Sequence, residues 1–396
     1  MKKLLALIMA ACMVFSFAAC GGSSDSDDGS TVLKIGGIGP TTGPAASYGL
    51  AVQHGAEIAV EEINALEGDL KFEFKMQDDE HNPEKSVNAY NTLKDWGMKV
   101  LMGTVTTQPC IAVSAKSNED GIFTLTPSAS STDVLGGFKD ENGNYSVPRK
   151  ENVFQMCFTD PNQGTASAQY ISEQKLGTKI AVIYNNADAY STGIYQKFDA
   201  EAKKLGLNIV SVKSFDDDKN LDFKPHLNAA KDAGADLIFM PIYYTPASVI
   251  LKQADEMNYD VKFFGVDGLD GLLGIENFDT TLAEDVMLLT PFTADAEDAK
   301  TQSFVKKYKE KYGETPSQFA ADAYDCIYAI YEACKAEKIT AGMSAKKIAE
   351  KLVDRFTSSE FVFDGLTGED MTWSETGEVA KAPKGMVIKN GVYVGM

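Results

Sequence analysis

Residues 32–65 read VLKIGGIGPTTGPAASYGLAVQHGAEIAVEEINA, and the way this stretch divides decides the fold. Val32 to Gly39 is a short apolar run that stops at Pro40, which reads as a buried strand. The glycines and prolines of 39–44 end it and turn the chain. From Tyr48 to Ala65 the apolar period changes: Val52, Ala56, Ala59 and Ile63 recur at i, i+4, i+7 and i+11, while Glu57, Glu61 and Glu62 fall largely on the other side. That is an amphipathic helix over 48–65.

Working outward, the same rhythm repeats. Leu70, Phe72, Phe74 and Met76 alternate as a strand, and Asn82-Pro83 supplies a cap and a first-turn proline for the next helix. Residues 100–103, a helix opened by Pro109, and residues 122–126 continue the series. Residues 136–150 hold Gly143, Pro148 and several charges, and read as a polar surface loop. A second set of strands follows at 179–184, 208–215, 236–241 and 261–266, separated by helices near 164–175, 193–205, 221–233 and 246–257. Three further helices are expected at 296–312, 316–336 and 344–356. Asn390-Gly391, set between Met386-Val387-Ile388 and Val392-Tyr393-Val394, is a two-residue hairpin signal. Alternating strands and helices with short connections imply an α/β fold with parallel sheets covered on both faces. Two strand sets in 396 residues imply two lobes, each with its own core.

Composition narrows the function. With 44% hydrophobic and 24% charged residues the body of the chain is ordinary for a globular protein. Lys2 and Lys3 followed by an apolar run over 4–17 read as an export signal, residues 1–19, too short for a membrane span. Phe17-Ala18-Ala19-Cys20 resembles a bacterial lipobox, in which Cys20 would be lipidated and become the new N-terminus. Residues 21–30 contain nothing apolar, so 20–30 is expected to act as a flexible tether. The protein is thus expected outside the cytoplasm, held on the bacterial cell membrane by its lipid and not spanning it. Loss of Lys2 and Lys3 with no acid takes the formal charge of −20 further negative, which argues against a nucleic-acid partner. Cys326 and Cys334 are about 12 Å apart along one helix, too far for a disulfide, and no cysteine spacing suggests a metal. No phosphate loop, metalloprotease, nucleophile-elbow or dinucleotide motif occurs, and His54, His81 and His226 are the only histidines. A non-enzyme without cofactor or metal is expected.

Several stretches carry a family resemblance. These are residues 35–44 with Tyr48-Gly49, Gly55-Ala56 and Ala59-Val60-Glu61-Glu62-Ile63-Asn64; Asp78-Asp79; 103–109; Asp120-Gly121-Ile122 leading to Pro127-Ser128-Ala129-Ser130; and Phe363-Asp364-Gly365-Leu366-Thr367-Gly368. Spread over 31–396, they resemble the leucine/isoleucine/valine-binding proteins, the type I periplasmic solute-binding proteins of branched-chain amino acid ABC transporters, here in lipoprotein form. The resemblance implies two Rossmann-like lobes joined by a three-crossing hinge near Phe158, Pro291 and Asp364. Lobe I would comprise 31–157 and 291–363, and lobe II 158–290 and 364–396. It further implies capture of an amino acid, foremost leucine, isoleucine or valine, with hinge closure and delivery to permease and ATPase subunits. Another small carboxylate, an amide or an aromatic amino acid stays open as ligand, as does service as a sensor for a signalling receptor.

The resemblance also assigns a site. Thr106 and Thr107, between a strand and a helix, would hold the ligand carboxylate through hydroxyls and free backbone N–H groups, although such threonines also serve as plain caps. Ser128 would offer its carbonyl to the ammonium, and Ser130, where relatives often have Thr, a hydroxyl to both ends. Asp267 at a strand end would pair with the ammonium, where branched-chain binders often carry the longer Glu. Tyr48, Tyr190 and Tyr243 match wall positions, with Tyr244 an alternative for the last. Ser191 follows Tyr190 where the family has Gly. His81 and Thr106 stand where some relatives carry a disulfide.

Overall fold

The computed structural model describes residues 30–138, 147–216 and 221–396. The expected export signal, Cys20 and most of the tether lie outside the described residues. The first sheet holds β1 (Val32–Gly39), β2 (Lys71–Asp78), β3 (Val100–Gly103), β4 (Phe123–Thr126) and β5 (Val153–Gln155), all parallel in the order β2-β1-β3-β4-β5. Its connections are α1 (Ala46–Ala65), α2 (Pro83–Trp96), α3 (Thr107–Asp120) and the single turn α4 (Thr132–Leu135). α1 buries Val52, Ala56, Ala59 and Ile63, the stripe read from the sequence. Asn82 caps α2, its side chain accepting from the Glu84 and Lys85 N–H groups, with Pro83 in the first turn. Of the 136–150 loop, the described ends are anchored. Lys150 is buried and donates to Ser114 Oγ and to the carbonyls of Asp133 and Val134, so a surface reading fails at that end.

The second sheet runs β12-β11-β10-β9-β8-β6-β7, from β6 (Ile180–Asn185), β7 (Ile209–Phe215), β8 (Leu237–Met240), β9 (Lys262–Gly265), β10 (Met287–Thr290), β11 (Lys384–Lys389) and β12 (Val392–Gly395). Strands β6 to β10 are parallel, and β11 is antiparallel to both its neighbours. Asn390 and Gly391 both have positive φ, 51° and 74°, as the expected two-residue hairpin turn requires. The helices are α5 (Asp160–Glu173), α6 (Ala189–Leu205), α7 (Lys224–Asp232) and α8 (Tyr244–Glu256). Of these, α5, α6 and α8 begin earlier than their apolar period suggests.

The chain then returns to the first sheet through α9 (Ala299–Tyr312), α10 (Gln318–Ala336) and α11 (Ala345–Phe356). α10 lies against α1, where a Cβ on Gly55 would come within 2.0 Å of Ala320 O, so only glycine permits the approach. Phe356 on α11 packs its ring on Phe123 and Phe154. The next segment stays there too: Trp373 donates its indole N–H to Gln155 O at 2.8 Å, and Gln155 N–H donates to Gly377 O at 3.0 Å. Lys381, its side chain fully buried, ties this segment to α10 through Asp322 at 2.8 Å and to Thr367 Oγ1 at 2.5 Å. Only after this does the chain enter β11. Cys110, Cys157, Cys326 and Cys334 are free and buried. Among the described residues no helix is long and apolar enough to cross a membrane.

Candidate functional site

Parallel strands gather loops and helix starts at their C-terminal ends, and here two sheets present those ends to a common cleft. One small cavity lies in it. The first-sheet side contributes Tyr48, Val105, Thr106, Ser128 and Phe319, and the second-sheet side Tyr190, Tyr243, Asp267 and Gly268. Six of the eight residues expected at a site therefore line one cavity. Thr107 and Ser130 are buried but are not part of its lining. The free space is only about 10 Å³, room for about one water molecule.

The first-sheet wall is built by α3 and the loops after β3 and β4. Thr106 is the N-cap residue of α3, yet its hydroxyl makes no capping bond. Thr106 Oγ1 instead sits 2.8 Å from His81 Nδ1, so a hydrogen bond spans the place where some relatives have a disulfide. Helix α3 opens at Thr107, two residues before Pro109, so its first-turn N–H groups follow directly on Thr106, which lines the cavity. Ser128 donates its hydroxyl to Val105 O at 2.6 Å, which joins the two loops. Ser130 Oγ has no hydrogen bond among the described residues.

The second-sheet wall centres on Asp267, which follows β9. Tyr190 donates its hydroxyl to Asp267 Oδ1 at 2.6 Å and accepts from Gly268 N–H at 2.9 Å. The Asp267 N–H donates to Gln163 Oε1 at 3.3 Å, and its carbonyl accepts from Gln318 Nε2 at 3.1 Å. Burial pushes the Asp267 carboxyl up to about 7, with the Tyr190 and Gln163 contacts pulling the other way. Asp270, also buried, is likewise raised to about 7. Ser191 fits without strain: its hydroxyl donates to Pro241 O at 2.6 Å and accepts from Asn185 N–H at 2.8 Å.

Rings fill the remaining space. Tyr243 stacks on Tyr190 with centroids 4.7 Å apart and planes 4° apart, and meets His81 edge-on at 5.5 Å. Burial lowers the His81 pKa, so the neutral ring is favoured there. Tyr48 bridges the cleft, donating to Gly268 O at 2.5 Å and accepting from Tyr244 N–H at 3.2 Å. Tyr244 is outside the cavity lining and instead accepts from Ser47 N–H at 3.2 Å, while Thr245 donates to Pro44 O at 2.7 Å. The lining contains a carboxylate and no lysine or arginine. Val105, Gly268 and Phe319 enter it without any motif of their own. Among the described residues no group of three or more His, Cys, Asp or Glu is arranged to hold a metal ion. A buried carboxylate opposite helix-start N–H groups can bind a small molecule carrying both a positive and a negative charge.

A family profile described as periplasmic binding protein matches residues 32–389. Leu/Ile/Val-binding protein homolog 3 of Brucella melitensis is 31% identical over 240 residues, 60% of this chain, and the match spans 61% of that relative's length. The branched-chain amino acid transporter substrate-binding protein LivJ of Streptococcus pneumoniae, solved with isoleucine, superposes with a TM-score of 0.79 at 26% identity, covering 92% of this chain and 100% of that one. A solute-binding protein of an ABC transporter from R. palustris, solved with benzoate, shares the fold with a TM-score of 0.78 at 20% identity, over 92% and 95% of the two chains.

Proposed function

The chain belongs to the periplasmic binding protein family, a family of solute binders and not of enzymes, and from that premise we propose that it is the extracytoplasmic binding subunit of an ABC importer that takes up a branched-chain amino acid. One observation carries the reading: Asp267 of one sheet and the Thr106 and Ser128 loops of the other line a single cavity that contains no basic residue. In this assignment Thr106, Thr107 and the free N–H groups opening α3 hold the ligand carboxylate. Asp267 pairs with the ammonium, helped by the Ser128 carbonyl and the Ser130 hydroxyl. Tyr48, Tyr190 and Tyr243, with Val105 and Phe319, pack on the side chain. Relatives whose names specify Leu, Ile and Val support the ligand class. The lipid anchor at Cys20 and the permease and ATPase partners belong to the same proposal.

Lobe I is assigned 31–157 and 291–381, and lobe II 158–290 together with the C-terminal strands. The contacts of Trp373 and Gly377 with Gln155, and of Lys381 with Asp322, favour a last crossing after Lys381 over one at Asp364. The four rings in the lining, Tyr48, Tyr190, Tyr243 and Phe319, favour one second reading, an aromatic amino acid in the same place. A thermal-shift screen of residues 31–396 against the twenty amino acids, with calorimetry on the positives, tests both. A ligand that binds the native state must raise its melting temperature. A shift with leucine, isoleucine or valine supports the first reading, a shift confined to phenylalanine, tyrosine or tryptophan the second, and silence with every α-amino acid defeats both.

A further inference from the structure

Asp160 is the first residue of α5, follows Phe158 and Thr159 out of the first sheet, and is buried. Its N–H donates to Ser130 O at 2.9 Å, and a Cβ added to Gly193 would stand 3.1 Å from Oδ2. The carboxyl is thus held between the loop after β4 and the start of α6, at the seam of the two lobes. Neither of its oxygens meets a donor at full hydrogen-bond geometry among the described residues, and the Ser130 hydroxyl lies near enough only to offset part of the burial effect on its proton affinity. Full geometry is likewise lacking at Ser130 Oγ, Thr159 Oγ1 and Gln163 Nε2. An unpartnered buried carboxylate is among the costliest groups a fold can hold, and such orphans mark places where a partner arrives from outside. Asp267, by contrast, already accepts the Tyr190 hydroxyl. The two acids act on one region: Asp267 raises the proton affinity of Asp160, and both raise that of Tyr243, which lines the cavity.

We propose that Asp160 is a second binding carboxylate of the cleft, receiving the ligand's ammonium group jointly with Asp267 and with the Ser130 hydroxyl completing the set. This rests on the amino-acid reading above. An ammonium brings three N–H donors and a full positive charge, which satisfies the orphaned acceptors and lets both carboxyls ionise out of water.

The test compares L-leucine with 2-hydroxy-4-methylpentanoate, which keeps the carboxylate and side chain but replaces ammonium by hydroxyl. Calorimetry on wild type and Asp160→Asn should show leucine affinity falling about tenfold or more and hydroxy-acid affinity falling by less than about threefold. The melting temperature of the ligand-free variant should not drop, because burial already favours the neutral Asp160 carboxyl and the substitution breaks no hydrogen bond made at full geometry. If the Asn variant fails to fold, Asp160→Ser reads the same ratio. Equal loss for both compounds, or no loss for leucine, overturns the role of Asp160 while leaving the amino-acid reading intact. A wild type that binds neither compound overturns both.

Discussion

Burial holds the Asp267 and Asp270 carboxyls near pH 7, and the consequence is a pair of opposed pH effects. Unfolded carboxyls titrate near about 3.9, so between that value and about 7 the folded state binds protons that the unfolded state does not, and stability rises as pH falls. Melting temperature of the ligand-free protein is therefore expected to climb from about pH 8 to about pH 5, with a shallower slope in Asp267→Asn. Affinity for an amino acid should move the other way, because protonation removes the charge that the ammonium needs; calorimetry across the same range checks it. Asp267→Ala should cost about 2–5 kcal/mol of binding if the pair with the ligand is fully buried, and unchanged affinity would refute its assignment. At this scale the sequence disclosed residue types better than partners. Thr106 reads as a cap or a binder, but only the fold brings His81 to its hydroxyl. Asp160 lies before the helix read over 164–175 and carries no reading, since nothing local reports that it opens α5 or that its oxygens lack donors.

Among elements, the long amphipathic pieces were legible and the short or fully buried ones were not. α1 shows its core stripe at helical spacing, whereas β5 and β10 are three- and four-residue runs with no alternation to mark them. The starts of α5, α6 and α8 escaped for a different reason. Their first turns carry Asp160, a buried acid, Tyr190, which lines the cavity, and Tyr244, which bonds to Ser47, so hydrophobic periodicity passes them over where the site is made. Capping was readable where side chain and backbone sit close in sequence. Asn82→Ala, which strips two N–H groups of α2 of their acceptor, should destabilise by about 1 kcal/mol in chemical denaturation. Lys381 ties the segment after Trp373 to α10, and Lys381→Met would leave Asp322 and Asp325 buried without it. A loss of about 3–5 kcal/mol is expected, largely restored when Asp322→Asn is added.

Over the whole molecule the closed cleft is held by the chain itself: Tyr48 to Gly268, Tyr244 to Tyr48, Ser47 to Tyr244 and Thr245 to Pro44 all bond across it. With about 10 Å³ free inside, a ligand enters only after the lobes part or the tyrosines turn aside. Tyr48→Phe removes two of these bonds, so the ligand-free variant should show a larger radius of gyration by small-angle scattering and faster ligand association in stopped flow. A wild-type radius would mean that Tyr48 does not hold the lobes shut. That the late helices rejoin the first sheet was legible only through family resemblance, because no local pattern states which sheet a helix will cover. Their return has a consequence for the order of assembly. As the chain emerges from its N-terminus, β1 to β5 appear early but lack α10 and α11, and β6 to β10 appear without β11 and β12 beside them. The first sheet waits for the chain as far as Lys381 and the second for the hairpin that follows it, so the polypeptide stays threadable for nearly the whole of its synthesis and gains its two cores almost at once.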